Sequence, residues 1–478
     1  MAPTQGYATP GIYVEEISTL PPSVAEIATA IPAFIGYTEK HAGDQPMIKE
    51  IRSLRDYEES FGQAPSAPWK IIVTETEPEA KQFIYKIHNS GNDQVLIPIF
   101  SKPTFLLWYA IDLYFRNGGG RCFVVSVGGN APDAVFNKEK FLKGIKELEK
   151  ADDPTLVIIP EATQLTESDY GEVCGAALTH AYNMKDRFVI LDTQIGSEGT
   201  SDSSITSTAA GNLRNNVGTS HLERGAAYYP DLNTTLNHKT IEDKIQVEIK
   251  TKGQNDSEPT LLSLSSLKSG DNDIHYHKII KLLADQRVIL PPSAAIAGVY
   301  ASVDRDRGIW KAPANISLQA VVAPVIQLTA EDQAELNIHD TGKSINAIRS
   351  FPGAGTLVWG ARTLDGNSNE WKFIPVRRLF ITVEESVKKA TAFAVFEPND
   401  VSTWLKVKGM IDSYLYTLWE RGALQGTKAE QAYFVNVGLG KTMTATDILE
   451  GRLIVEIGLA AVKPAEFIIL RFSHKLAE

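Results

Sequence analysis

RCFVVSVGGNAPDAVFNKEKFLKGIKELEKADDPTLVIIPEATQLTESDYGEVCGAALTHAYNMKDRFVILD, residues 121–192, alternates two kinds of segment. Arg121–Val127, Thr155–Ile159 and Arg187–Asp192 are short, apolar and β-branched. Lys138–Lys150 and Ser168–Met184 lie between them and carry helical patterning. Apolar runs without polar alternation are strands covered on both faces, and intervening helices provide the covers. The stretch therefore predicts a three-layer α/β unit with a mainly parallel sheet. Upstream, Ala33–Tyr37 reads as a further strand and Ser53–Gly62 as a short capped helix. A helix is expected over 103–116, with Pro103 in its first turn and Asn117-Gly118 at its end. Downstream, Ile274–Ala284 reads as a helix returning to the core. Pro291–Tyr300 is a small-residue helix suited to close packing, and 305–311 a charged turn.

Two regions break the pattern. Residues 63–98 are rich in Pro and turn signals. Residues 230–272 place a β-prone run, Ile241–Thr251, between Asn-, Ser- and Gly-rich segments. Both are expected to be insertions on an outer surface, because surface loops accept added chain.

The C-terminal third begins with Ser344–Arg378. Gly355–Trp359 and Phe373–Val376 read as strands around an Asp365-Gly-Asn-Ser-Asn369 turn, since Asp-Gly between apolar runs favours a tight turn. Arg349, Arg362, Arg377 and Arg378 cluster there with few acids nearby. In an acidic chain such a cluster is either an interface or a set of solvated strand ends. Thr382-Val-Glu-Glu385 has the form of a capping box opening a helix to about Phe396. A second helix follows Asp400, with Val401, Trp404, Leu405, Ile411, Leu415 and Leu418 as its apolar stripe. Leu453–Gly458 and Phe467–Phe472 read as strands. Near the other end, Pro10–Ser18 is a strand with no local partner, so it must pair with something distant.

Bulk properties exclude several classes. The chain has 478 residues, 58 Asp+Glu against 47 Lys+Arg, and a formal net charge of −11. That balance opposes coating of nucleic acid through phosphate neutralisation. Two cysteines, Cys122 and Cys174, fall in apolar runs and form no disulfide framework. The N-terminus has no Sec-type leader pattern, and the most apolar window, Ile99–Phe115, is broken by Lys102, Pro103 and Asp112, so no membrane insertion is expected. Folding in a reducing cytosol follows.

Catalytic motifs are also lacking. Gly438-Leu-Gly-Lys-Thr442 and Thr341-Gly-Lys-Ser344 imitate the end of a phosphate loop, but the leading glycine is replaced by Val435 and Asn337. Gly118–Gly120 precedes a strand and follows a helix, the reverse of a dinucleotide turn. His275 and His277 diverge on a helix, and no metal-ligand spacing occurs. The pairs Glu15–Glu16, Glu58–Glu59 and Glu384–Glu385 are adjacent and diverge, unlike an acid/base pair. No catalytic residue, cofactor or metal is expected.

The blocks INAIRSFPGAGTLVWGARTL (345–364), WKFIPVRRLF (371–380), AVFEPND (394–400), LWERGALQG (418–426) and LIVEIGLAAVKPAEFIILRF (453–472) closely resemble contractile tail sheath proteins. So do PGIYVEE (10–16), YFRNGGGRCFVVSV (114–127) and PPSAAIAGVYASVDRDRGIWKAPAN (291–315). Size and a short Pro-rich N-terminus are closer to extracellular contractile injection systems of the antifeeding-prophage type. The resemblance implies a linking arm over 1–22, an α/β core over 23–344 with inserted outer domains, and an α+β sheath domain over 345–478. It implies hexameric rings stacked around an inner tube, a metastable extended state, and contraction that consumes no nucleotide. Partners would be further copies of the chain, the inner tube protein, baseplate and terminal cap proteins, and paralogous sheath subunits. The particle would be assembled in the bacterial cytoplasm and then released.

In this family the terminal strands pair with neighbouring subunits. That assigns Gly11, Ile12, Tyr13, Val14, Glu15 and Glu16 to one linking strand, and Glu466, Phe467, Ile468, Ile469, Leu470, Arg471 and Phe472 to the other. Lys388, Lys389, Lys406 and Lys408 become candidates for facing the tube. A static tube- or capsid-like protein and a nucleotide-binding α/β enzyme are the alternatives.

Overall fold

The computed structural model describes residues 24–66, 69–77, 82–88, 100–131, 134–194, 203–250, 261–268 and 273–467. The chain forms two compact units, one of residues 27–385 with 462–478 and one of residues 1–26 with 386–461.

The larger unit is built on a nine-stranded sheet. Its order from one edge is Ile316–Ser317, Gly355–Val358, Ile345–Phe351, Gly225–Tyr229, Phe188–Asp192, Leu156–Ile158, Pro32–Thr38, Cys122–Gly129 and Met47–Ile51. The six strands from Ile345–Phe351 to Cys122–Gly129 run parallel, and antiparallel pairs close both edges. Alternate residues face opposite layers. Phe34, Ile158 and Ile190 pack with helices Leu107–Arg116 and Ser293–Arg307. Ile35, Val157 and Val189 pack with helices Lys138–Glu147 and Glu167–Met184. The small-residue helix does allow close packing: a Cβ at Gly298 would lie 2.7 Å from Tyr114 O. Gly118, at φ +92°, stops the preceding helix as expected.

Several local expectations are corrected. The 103–116 helix begins only at Leu107. The charged turn at 305–311 is in part the last turn of Ser293–Arg307. Phe373–Val376 is not a strand, because helix Ile374–Thr391 starts there. Thr382 is consequently inside that helix, and no capping box opens at it. The hairpin of this region is Ile345–Phe351 with Gly355–Val358, turned by Gly353 and Gly355 at φ +77° and +78°. The Asp-Gly signal at 365–366 instead marks a loop bridged at Lys343↔Asp365 and Arg362↔Phe373.

The two irregular regions meet. Lys70–Glu77 pairs in parallel with Gln246–Lys250, within a four-stranded sheet that also holds Gln82–His88 and Leu261–Ser263. Trp69, Ile71, Val73, Val247 and Leu264 form its core with Ile279 and Leu283. Helix Asp273–Ala284 therefore completes this inserted module; the expectation that it returns to the main core was wrong. The proposed 230–272 boundary also cuts too deep. Leu232–Asn237 lies inside a different sheet, between Val321–Pro324 and Arg287–Leu290, and buries Leu232, Thr234 and Leu236. Excising 230–272 is expected to give insoluble chain. Replacing both 69–98 and 241–284 by short linkers should leave a soluble, cooperatively melting protein, because Asn237 and Arg287 are strand partners and their ends are already adjacent. Solubility and thermal melting of the two deletions check this.

Candidate assembly surfaces

The smaller unit is organised by helix Val401–Glu420 and an antiparallel strand pair, Tyr433–Val437 with Val455–Leu459. The helix starts where Asp400 Oδ1 accepts from Thr403 N at 3.0 Å, an N-cap that satisfies a free backbone donor. Its buried stripe is Thr403, Val407, Met410, Ile411, Tyr414, Leu415 and Leu418. Val401 and Leu405, assigned to that stripe from sequence, are exposed, as are Val395 and Phe396 just before the helix. Phe396 is fully exposed and has φ +71°, a backbone conformation rare for a bulky residue.

Among the described residues no third strand adjoins Tyr433–Val437 and Val455–Leu459. A two-stranded ribbon is marginal by itself and its edges can take up a further strand; just past Leu459 one of them is met by the Leu424↔Ala461 bridge and by Gln425 N donating to Ala460 O at 2.7 Å. Helix Val401–Glu420 braces it: Lys408 Nζ donates to Val435 O at 2.8 Å, and Tyr433 Oη to Asp412 O at 3.2 Å. Glu26 joins this unit through Arg421 at 2.8 Å.

The four lysines divide. Lys388, Lys389 and Lys406 are exposed, and Lys406 Nζ lies 4.5 Å from the Phe393 ring centroid. Lys408 is half-buried and held by Asp412 at 2.8 Å as well as by Val435 O. It braces the ribbon and does not project with Lys406.

The arginines do not form an exposed basic surface. Arg362, Arg377 and Arg378 are buried, and Arg349 is half-buried with its guanidinium on Gln333 Oε1 at 2.6 Å. Arg362 makes a two-pronged pair with Glu466, at 2.8 and 2.6 Å. Arg378 makes another with Asp304, at 3.0 and 2.6 Å, and also donates to Thr29 O at 3.0 Å. Arg377 stacks over Trp371 at 4.4 Å; burial and the neighbouring Arg224 push its pKa down to about 10. Sequence spacing shows that arginines cluster, but not that acids from positions 304 and 466 reach them. Of the residues expected to form linking strands, Glu466 and Phe467 are described and lie outside any strand. Residues 11–16 and 468–472 lie outside the described residues.

The parallel sheet has a switch point at Pro32–Thr38, where Cys122–Gly129 lies on one side and Leu156–Ile158, the next sheet strand in the chain, on the other; such folds usually hold ligands there. Here the chain fills it. Glu161 Oε1 accepts from Leu106 N and Leu107 N at 2.8 and 2.9 Å, and Oε2 from Tyr37 N at 2.6 Å. Gly36 makes room, since a Cβ there would lie 2.6 Å from Glu161 Oε2. Burial pushes the Glu161 pKa up to about 7, against the pull of those three N–H groups. The phosphate-loop imitations are also structural. Lys343 is buried with Nζ on the Arg214 carbonyl. Thr442 Oγ1 closes its loop on Gly438 N and Ile454 O at 3.2 and 2.7 Å. Among the described residues there is no metal-binding cluster of His, Cys, Asp and Glu, and no helix long and apolar enough to cross a membrane.

Comparison with known proteins agrees with this architecture. Residues 367–475 match the phage tail sheath C-terminal domain. The chain is 25% identical over 192 residues to the tail sheath protein of Vibrio phage KVP40, a match covering 39% of this chain and 27% of that one. Two solved structures match along almost the whole length. One is the sheath complex of PVC, an extracellular contractile injection system, in the contracted state. It is 30% identical, with 99% of each chain covered and a TM-score of 0.64. The other is the helical sheath of the anti-feeding prophage in the contracted state, at 32% identity, 98% of this chain and 100% of that one, and a TM-score of 0.62. With the α/β core, the inserted module and the open-edged ribbon all inside that full-length match, the chain belongs to the contractile tail sheath family.

Proposed function

We propose that this chain is the sheath subunit of a phage tail-like injection system and performs no catalysis. Copies stack as hexameric rings around an inner tube in an extended, metastable state, and contraction drives the tube through a target envelope. The observation that carries this reading is the full-length likeness to injection-system sheath chains. The open-edged ribbon supports it. Strands added to such a ribbon are held by backbone hydrogen bonds, which keep subunits linked while their domains rotate and slide. Residues 11–16 and the segment after Glu466, to 472, supply those strands from neighbouring copies, Glu466 itself being held by Arg362 of its own chain. Baseplate, cap and paralogous sheath proteins are the remaining partners, and assembly takes place in the bacterial cytoplasm before release.

The tube-facing surface combines exposed Lys406 with the apolar set Val395, Phe396, Val401 and Leu405. Each contact is weak alone, but repetition around every ring adds them. Lys406→Glu is expected to lower co-sedimentation of sheath with tube several-fold in low salt, with a smaller loss in high salt, where charges are screened. Unchanged co-sedimentation in low salt would remove Lys406 from the tube contact. Lys408→Glu is expected instead to destabilise the ribbon, seen as a lower melting temperature of the unassembled subunit. Electron microscopy of the purified chain tests the function itself: hollow cylinders or rings are expected, and a strictly monomeric protein at high concentration would refute it.

A further inference from the structure

Two buried arginines lie at the points where the chain's two ends join the larger unit. Residues 27–31 carry the chain into the first strand of the sheet. There Arg378 donates to Thr29 O at 3.0 Å and to both oxygens of Asp304, and Thr29 Oγ1 donates to Asp304 Oδ2 at 2.6 Å. Thr155 Oγ1 holds the same Thr29 carbonyl at 3.0 Å and accepts from Ile31 N at 2.9 Å. The Arg378–Asp304 pair has side chains only 2% and 5% exposed, so it is screened little by salt.

The other end is fixed in the same way. Glu466 takes two bonds from Arg362 and a third from Asn337 Nδ2 at 3.2 Å. The Arg362 side chain is 6% exposed and that of Glu466 24%. Asn346 locks the Arg362 backbone from both sides, accepting from Arg362 N and donating to Arg362 O, each at 2.8 Å. Lys463 Nζ adds a bond to Asn369 O at 3.2 Å. The next residue, Phe467, is exposed. A planar guanidinium that grips a carboxylate with two parallel bonds fixes direction as well as position. A buried charge that loses its partner is strongly destabilised, so neither grip slips easily.

The geometry points to Arg362 as the anchor that sets where, and in which direction, the C-terminal arm leaves the fold, and to Arg378 as the anchor that fixes residues 27–31, through which the N-terminal chain enters the larger unit. They are positioning residues for assembly. A linking strand finds its neighbour's ribbon only when its root is fixed; an arm with a loose root must search a larger volume, at an entropic cost. The inference rests on the sheath reading above, and the test separates the two.

Full-length Glu466→Gln carrying a tag is mixed with wild-type chain in rising proportion, and cylinder length and tag content are measured. The variant alone is expected to melt below wild type, because buried Arg362 loses its partner charge, yet to remain folded at the assembly temperature and to form few cylinders. In an equal mixture it is expected to enter the cylinders and shorten them several-fold, because it accepts a neighbour's arm but donates its own poorly. Thr29→Val, which removes one bond at the other root and spares the ion pair, is expected to shorten cylinders in the same way. Wild-type lengths from both variants alone would overturn the inference. So would absence of tag from mixed cylinders of normal length, since that result means the residues serve folding only. Failure of the wild-type chain to form cylinders would overturn the sheath reading itself.

Discussion

Proline at Val14 is expected to leave a folded subunit that does not polymerise. Val14 is central in Gly11–Ser18, a segment outside the described residues whose alternating sequence reads as a strand with no partner nearby. Proline removes a backbone donor and fixes φ, so one ladder bond is lost in every arm. A single bond contributes about 1 kcal/mol net, and its loss together with the ring's steric conflict raises the critical concentration about tenfold or more. With one arm donated by each subunit, as proposed above, the defect would recur at every junction. Sedimentation gives the polymer fraction, and circular dichroism gives the fold of what remains soluble. Cylinders forming at the wild-type concentration would show that the N-terminal segment is not a linking strand.

Glu161→Ala is expected to cost far more stability than any substitution on the assembly surfaces. It strands the amide N–H groups of Tyr37, Leu106 and Leu107 in the core. Each unsatisfied buried donor costs about 1–3 kcal/mol, so the sum, about 3–9 kcal/mol, is comparable to the whole stability of a domain. Loss of soluble protein, or a collapse of the melting temperature, is the expected result. Glu161→Gln is milder and exposes a pH effect. The folded pKa of Glu161 is about 7, raised from 4.5 by burial. The folded state therefore holds more protons than the unfolded state between those values, and this group's contribution falls as pH rises through that window. Buried His180 and His238 act oppositely: burial lowers each to about 4 from 6.5, so their contribution is lost as pH falls through 6.5 toward 4. Comparing wild type with Glu161→Gln cancels the histidines. The wild-type advantage is expected to shrink from pH 5 to pH 7 in urea unfolding, and a constant advantage would mean that Glu161 stays ionised throughout.

The sheet was legible from sequence because its signal is local. Thr155–Ile159 and Arg187–Asp192 are continuous apolar runs, and the intervening helices have their own caps, such as the Thr166 side chain accepting from Asp169 N. The inserted module was only half legible. Two β-prone stretches were visible, but nothing in either shows that Lys70–Glu77 pairs with Gln246–Lys250, about 175 residues away. Leu232–Asn237 was misplaced because its polar alternation resembles a surface strand, whereas Thr234 is buried with Oγ1 on Val288 O at 2.7 Å. The arginines give the clearest lesson. Their clustering in sequence suggested a surface, yet Asp304 and Glu466 return from distant segments to neutralise two of them. Burial of a charge depends on partners that spacing does not reveal. The helix Ile374–Thr391 was started late because Phe373–Val376 is β-prone by composition, and tertiary packing overrides that preference.

The central claim is that the ribbon of Tyr433–Val437 and Val455–Leu459 is completed by arms from neighbouring copies. A cryo-electron microscopy map of cylinders assembled from the purified chain tests it most directly. The account predicts added strands along the ribbon, traceable to residues 11–16 of one neighbour and to the segment following Glu466, up to 472, of another. Cylinders whose ribbon remains two-stranded, with neighbours meeting only through the larger unit, would contradict it.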